Sequence, residues 1–320
     1  MAYRIALLLA CATWALSPAA LAQPKGGYPD KPVTIVVGFA AGGAADTVAR
    51  FIADYAREHR NVQVVVENRA GASGTIAAER VSRAAPDGYT LMMASPSPIW
   101  VLPQVQKLTY DPIMNLTPVA QLISQPLPLY VRADSPFNSY ADVLNYARGN
   151  PGKFRWGTSG ARGFAEIVME AAFKREKVET TTVPFKGGAE AIVALLGGHI
   201  EAVASSDFGP VLQDGRVKLL VETGPYKIPG APNVPTFREL GYPLSVAVFY
   251  GLFGPGGMDP VHLRWWDVLV KEAVASPKFA RVAQTMSGTP AFQPSEEFGN
   301  TIRRGYVEFG KALAVEKQRL

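Results

Sequence analysis

Two glycine-rich turns contain the residues that are best suited to bind an anion. The first turn covers residues 38–43, between an apolar strand-like run and a helical pattern, and the second covers residues 157–163 in the same context. Glycine allows the chain to turn tightly, and the first N–H groups of the following helix, which have no partner within it, can then point at one anion. The two turns therefore predict an anion site between two facing lobes.

The same turns do not complete a catalytic or nucleotide-binding motif. Residues 157–161 are similar to a nucleophile elbow, but they lack the closing glycine of G-x-S-x-G. None of His59, His199 and His262 stands in a context that identifies a general base. No Gly-Lys-Ser/Thr follows the first turn, and no dinucleotide fingerprint is complete. We predict a binding protein rather than an enzyme, with no cofactor required.

The first 22 residues are expected to be a secretion signal that is removed after Ala22. Arg4 precedes an apolar run over residues 5–16, and a small-x-small site follows at residues 20–22. The apolar run is shorter than the roughly 20 residues that a membrane helix needs. A lipoprotein is the alternative, because residues 8–11 loosely resemble a lipid-attachment box that ends at Cys11. We expect a periplasmic protein.

The composition restricts the class of ligand. The chain of 320 residues carries a formal net charge of +5 and one cysteine, which the expected cleavage removes. Disulfides and thiolate chemistry are then excluded from the mature chain. The histidines lie far apart in the sequence, so we expect no histidine-rich metal site. The weak and scattered positive charge suits a small anion and does not indicate nucleic acid.

The elements that must position the turns alternate along the chain. Strand-like runs lie near residues 33–37, 62–67, 90–94, 154–156, 181–183, 202–204 and 219–221, with helical patterns between them. This alternation is typical of an α/β fold with largely parallel sheets. Ser139, with Asp142 three residues later, has the spacing of a helix-starting capping box. C-terminal helices are expected over residues 260–276 and 294–315.

Two long extended apolar segments predict crossings between the lobes. They lie around residues 127–131 and 242–254. Two crossings form a hinge, and hinged lobes close around a ligand. We expect residues 23–127 with 247–320 to form one lobe and residues 128–246 to form the other.

Nine short segments, taken in order, are similar to the extracytoplasmic solute receptors of tripartite tricarboxylate transporters, the Bug receptors. The segments are residues 28–33, 39–50, 66–74, 86–91, 110–112, 183–188, 196–198, 234–236 and 251–253. The resemblance implies a type II periplasmic-binding-protein fold with a ligand cleft between two α/β lobes. It also implies a small carboxylate ligand, such as a di- or tricarboxylate, an acidic amino acid or an aromatic acid.

The resemblance further implies a monomeric receptor that delivers its ligand to the membrane permease subunits of a tripartite transporter. A receptor that presents its closed form to a sensor protein would need the same hinge and the same cleft, so this alternative stays open. In this family the main chain of the two facing turns typically holds the carboxylate. The positions that correspond are Phe39, Ala40, Ala41, Gly42 and Gly43, then Ser95 and Ser97, then Thr158, Ser159, Gly160, Ala161, Arg162 and Gly163.

Several of these residues have a second interpretation. Arg162 stands where the family pattern has glycine, and Glu166 stands where it has histidine. Arg162 either grips a ligand carboxylate with paired hydrogen bonds or faces solvent beside Glu166. Asp46 either caps the first helix or binds a ligand ammonium group.

The remaining polar and aromatic candidates are equally open. Thr158 and Ser159 either cap a helix or hold the ligand. Phe39 and Phe185 either flank the ligand or belong to the core.

Overall fold

The computed structural model describes residues 27–319, apart from the side chains of residues 317–319. The expected secretion signal, residues 1–22, lies outside the described residues. Within residues 27–319, no helix is both long enough and apolar enough to cross a bilayer.

Strands and helices alternate along most of the chain. The strands are β1 (Val33–Val37), β2 (Val64–Asn68), β3 (Thr90–Ala94), β4 (Leu116–Gln125), β5 (Pro128–Arg132), β6 (Arg155–Ser159), β7 (Thr181–Phe185), β8 (Ala202–Ala204), β9 (Val217–Glu222), β10 (Val248–Pro255) and β11 (Thr289–Gln293). The helices are α1 (Ala44–Arg60), α2 (Thr75–Ser82), α3 (Leu102–Val105), α4 (Tyr140–Gly149), α5 (Phe164–Arg175), α6 (Gly188–Leu196), α7 (Gly209–Gln213), α8 (Pro260–Ala275), α9 (Pro277–Thr285) and α10 (Ser295–Arg319).

The strands form two separate sheets, one for each lobe. The first has the order β11-β4-β10-β3-β1-β2, and the second has the order β7-β6-β8-β5-β9. Each sheet buries a row of apolar residues, such as Val33 and Ile35 on β1 and Trp156 on β6. The mixed α/β fold with two lobes confirms the predicted fold class.

The prediction of largely parallel sheets was wrong for the strands near the crossings. β1 pairs in parallel with β2 and β3, and β6 pairs in parallel with β7 and β8. β10 is antiparallel to β3 and β4, β11 is antiparallel to β4, and β5 is antiparallel to β8 and β9. A parallel neighbour needs a crossover, usually a helix, but these strands enter a sheet from the other lobe or through a short connection. Their direction is therefore free to reverse.

The chain crosses between the two sheets twice. β4 ends at Gln125 in the first sheet and β5 begins at Pro128 in the second. The return lies between Glu222, the end of β9, and Val248, the start of β10. Glu222 joins the two crossing segments. Its Oε1 accepts hydrogen bonds from the main-chain N–H groups of Leu127 (3.1 Å) in one segment and Gly224 (2.8 Å) in the other.

The start of α4 agrees with the capping pair that the sequence predicts. Ser139 is the N-cap of α4 and forms the predicted capping box with Asp142. The sequence patterns do not predict α9 and β11, which are short elements. α10 packs on the first sheet through buried Phe298 and Ile302, and its far end reaches the other lobe, where Glu316 lies 3.5 Å from Arg175.

Candidate functional site

Three helices begin at one cavity between the two lobes. The N-caps of α1, α5 and α6 are Gly43, Gly163 and Gly187, and all three line the cavity. The complete lining is Phe39, Ala40, Gly43, Ala44, Ala45, Ser95, Pro96, Ser97, Leu127, Ser159, Gly160, Gly163, Phe164, Ala165, Gly187, Gly188, Ser206, Asp207, Val248 and Tyr250. The enclosed volume is about 30 Å³, room for roughly two water molecules.

The helices that face the cavity lack a side-chain cap of their own. Gly43, Gly163 and Gly187 have no capping side chain, whereas α4, α8 and α9, which start elsewhere, are capped by Ser139, Asp259 and Ser276. The first N–H groups of a helix have no partner within the helix and carry part of its positive dipole. Three such helix starts at one cavity form a positive environment without a cationic side chain.

The three turns share one local design. Each N-cap glycine is followed three positions later by an acidic residue, namely Asp46, Glu166 or Glu190. The carboxylate accepts the N–H of the residue before the glycine: Gly42 to Asp46 at 2.9 Å, Arg162 to Glu166 at 2.8 Å and Lys186 to Glu190 at 3.1 Å. These acids thus bind N–H groups that precede each N-cap glycine and do not occupy the N–H groups at the helix start.

Asp46 forms hydrogen bonds within the first lobe in this conformation, and a role in binding a ligand ammonium group stays a prediction. It is buried, and besides Gly42 it accepts hydrogen bonds from Arg50 at 2.8 Å and Asn68 at 2.9 Å. Burial raises the pKa of Asp46, but the hydrogen bonds from Arg50, Gly42 and Asn68 outweigh burial, so the pKa lies below its ordinary value. The ionised carboxylate holds α1, β2 and the first turn in register.

Main-chain and side-chain groups of the two lobes meet across the cavity. Ser97 Oγ, from the first lobe, accepts the N–H of Phe164 at the start of α5 (3.0 Å). Asp207 Oδ1, from the second lobe, accepts the N–H of Ala44 at the start of α1 (2.6 Å). Each lobe thus caps a helix of the other.

Two further hydrogen bonds join the turns. Ser73 Oγ donates to the carbonyl of Ala161 at 2.6 Å, and the N–H of Ala40 donates to the carbonyl of Lys186 at 3.3 Å. The lobes are closed on each other in this conformation.

The residues predicted from the sequence divide into two groups. Phe39, Ala40, Gly43, Ser95, Ser97, Ser159, Gly160 and Gly163 line the cavity. Ala41, Gly42, Asp46, Thr158, Ala161, Arg162 and Phe185 do not line it in this conformation.

The second group has other surroundings. Thr158 is buried and donates to the carbonyl of Gly160 at 2.9 Å. Phe185 packs against the core of the second lobe. Arg162 is exposed and contacts Glu166 through its main-chain N–H, so a direct role of Arg162 in ligand binding stays a prediction.

Sequence reasoning missed a third turn and a carboxylate. The third turn is Gly187-Gly188. A glycine pair shortly after a strand, with Glu190 three residues after Gly187, is the sequence pattern that could have revealed it. Asp207, Ser206 and Tyr250 also line the cavity. Asp207 follows the short strand β8 without a glycine turn, so its sequence context carries no local sign of a site.

Comparison with known proteins identifies the class. The fold is that of a periplasmic solute-binding protein with two α/β lobes. The family model described as "Tripartite tricarboxylate transporter family receptor" matches residues 48–302. The chain belongs to this family, whose members are periplasmic solute-binding receptors.

Individual relatives agree along nearly the whole chain. The Cupriavidus necator protein described as "UPF0065 protein in gbd 5'region" is 33% identical over 91% of this chain and 89% of its own length. MatC from Rhodopseudomonas palustris, solved with bound malate, has a TM-score of 0.82 and 28% identity over 89% of this chain and 100% of its own. Another R. palustris protein, solved with adipate, has a TM-score of 0.82 and 26% identity over 91% of this chain and 99% of its own.

Proposed function

We propose that this protein is a periplasmic receptor that closes on a small carboxylate and delivers it to the membrane subunits of a tripartite transporter. The observation that carries the proposal is the convergence of three glycine-capped helix starts, those of α1, α5 and α6, on one cavity. Main-chain N–H groups at helix starts bind anions well, and Ser95, Ser97 and Ser159 add hydroxyl groups. The malate and adipate bound by the two solved relatives are carboxylates of this kind.

Binding requires the lobes to move. In this conformation hydrogen bonds join the two lobes directly, from Phe164 to Ser97 and from Ala44 to Asp207. We propose that the lobes separate about the crossings near Leu127 and residues 223–247, admit the ligand, and close again. The ligand favours the closed form only through contacts that it makes with both lobes, and the facing turns supply these contacts.

A thermal-shift and calorimetric screen tests the proposal. Saturating ligand stabilises a folded protein by several kcal/mol when its concentration far exceeds the dissociation constant. We expect at least one small carboxylate to raise the melting temperature, and the methyl ester of the same acid to leave it unchanged. Binding of the ester with equal affinity, or no binding by any carboxylate, would refute the proposal.

Two further measurements test whether the protein acts as a receptor and whether it serves uptake or sensing. Ligand recovered after binding should be chemically unchanged by mass spectrometry, as expected of a receptor. Deleting the protein should abolish uptake of the radiolabelled ligand by cells. Normal uptake with loss of a transcriptional response would instead support the sensing alternative.

A further inference from the structure

We propose that Asp207 selects the ligand: the site takes a monocarboxylate whose other end carries a hydrogen-bond donor, an ammonium or amide nitrogen, and it disfavours a dianion. This assignment of the ligand class rests on the proposed function.

Asp207 lies at two of the three helix starts. Its Oδ1 accepts the N–H of Ala44, the first residue of α1. A Cβ at Gly43 would lie 3.0 Å from Oδ1, and a Cβ at Gly188, the first residue of α6, would clash with Oδ2. Glycine at both positions therefore leaves just enough room for this carboxylate. The chain itself supplies an anion to the starts of α1 and α6.

The charge around the cavity then disfavours a second anionic group. Of the described residues that line the cavity, Asp207 is the one with a charged side chain. Lys186 and Arg162, which lie on the adjoining turns, are exposed and do not belong to the lining. A dianion would bring its far carboxylate toward Asp207 without a cationic side chain to offset the repulsion. Such like-charge contact is a common means of excluding a competing ligand.

The groups packed around Asp207 are uncharged. Ser205 follows β8, and Tyr130 and Tyr250 face Asp207 from β5 and β10. The phenols form hydrogen bonds with serines, Tyr130 with Ser205 and Tyr250 with Ser206. Burial raises the pKa of Asp207 more than the hydrogen bonds from Ala44 and Ser205 lower it. A donor on the ligand would relieve this unfavourable burial of charge, because charge-assisted hydrogen bonds are stronger than neutral ones.

The two ends of the ligand thus have different partners. The start of α5 remains for the ligand's own carboxylate, with Ser159 beside it and the N–H of Ala165 at its second position. Asp207 lies at the starts of the other two helices, α1 and α6. A carboxylate at one end and a donor nitrogen at the other match this arrangement.

Matched pairs of compounds test the inference, because they differ only in the far group. The pairs are succinate with succinamate, adipate with adipamate, aspartate with asparagine, and terephthalate with 4-carbamoylbenzoate. Calorimetry at pH 7 should show that, in each pair that binds, the wild-type protein prefers the amide by at least tenfold. Equal or tighter binding of the diacid would overturn the inference and leave the proposed function intact. No binding by any member would refute the proposed function itself and this inference with it.

The variant Asp207→Asn should remove the preference for the amide. The Asn oxygen keeps the hydrogen bond from Ala44, and the neutral side chain no longer repels a carboxylate, to which its Nδ2 can donate. We expect the amide-to-diacid ratio of affinities to change by at least tenfold. Asp214→Asn, the same change of charge at an exposed position after α7, should leave the ratio unchanged. An unaltered ratio in Asp207→Asn would overturn the inference.

Discussion

The hydroxyl of Ser97 in one lobe accepts a hydrogen bond from the N–H of Phe164, the first residue of α5 in the other lobe, at 3.0 Å. This bond exists only when the lobes are closed, since the two residues belong to different lobes. The N-cap of α5, Gly163, has no capping side chain, and Ser97 takes that role from the other lobe. Opening the cleft removes this cap from α5.

Ser97→Ala should shift the lobes toward the open form. Losing a hydrogen bond of this kind costs about 1 kcal/mol, which corresponds to roughly a fivefold loss in ligand affinity. Small-angle scattering should show a larger radius of gyration without ligand, and calorimetry should show the weaker binding. Ser82→Ala, whose hydroxyl donates within its own helix to Glu79, is the control. A change of equal size in both variants would contradict the cross-lobe role of Ser97.

Gly160→Ala should weaken ligand binding tenfold or more by opposing closure. A Cβ at Gly160 would clash with the side chain of Ser73, which bonds the neighbouring Ala161 across the cleft. A smaller closed population reduces the apparent affinity in proportion. Gly152→Ala is the control, because Gly152 also has a positive φ, +70°, but has open space around its Cα. Both variants should lose about 1–3 kcal/mol of stability from backbone strain, while only Gly160→Ala should lose affinity.

Arg162→Ala should change ligand affinity by less than about twofold. The Arg162 side chain is exposed and does not line the cavity, and its tie to Glu166 uses the main-chain N–H that alanine retains. Arg162→Gly should raise the free energy of unfolding by up to about 1 kcal/mol, because φ at this position is +55°. Isothermal titration and urea denaturation measure the two effects. A tenfold loss of affinity in Arg162→Ala would instead show that the guanidinium binds the carboxylate.

Glu222→Gln should remove a pH dependence of stability. Burial raises the pKa of Glu222 to about 8, despite the hydrogen bonds from Leu127 and Gly224. Because the folded state holds this proton more tightly than the unfolded state, the contribution of Glu222 to stability is greatest below the ordinary pKa of glutamate. It then falls on the order of a few kcal/mol as pH rises toward 8 and levels off above it.

Urea denaturation between pH 5 and pH 9 measures this dependence. Glutamine keeps an acceptor for Leu127 and Gly224 but does not ionise, so the slope should be smaller. Glu308→Gln, at an exposed position on α10, should keep the wild-type slope. An unchanged slope in Glu222→Gln would show that Glu222 is not the group responsible.

Much of the fold is determined by short-range sequence. The bounds of β3 and the start of α4 follow from an apolar run and from the capping pair Ser139 and Asp142, whose interactions span only a few residues. The glycine turns before α1 and α5 are also local, since glycine N-caps and an acid at the third helical position are visible in the sequence itself.

The tertiary structure decided which of these signals share a site. Asp207 reaches Ala44 across 163 positions of sequence, and no local pattern indicates that contact. The third turn, at Gly187-Gly188, joins the cavity because β7, β6 and β8 lie side by side in the second sheet. The antiparallel placement of β10 and β11 likewise depends on how the chain returns from the other lobe.

The sequence by itself therefore determined the elements and the anion-binding character of their turns, because backbone conformation and helix dipoles arise within a few residues. The tertiary structure alone decided that a carboxylate of the chain faces the same cavity, because burial and charge in a cleft depend on groups brought together by closure of the lobes.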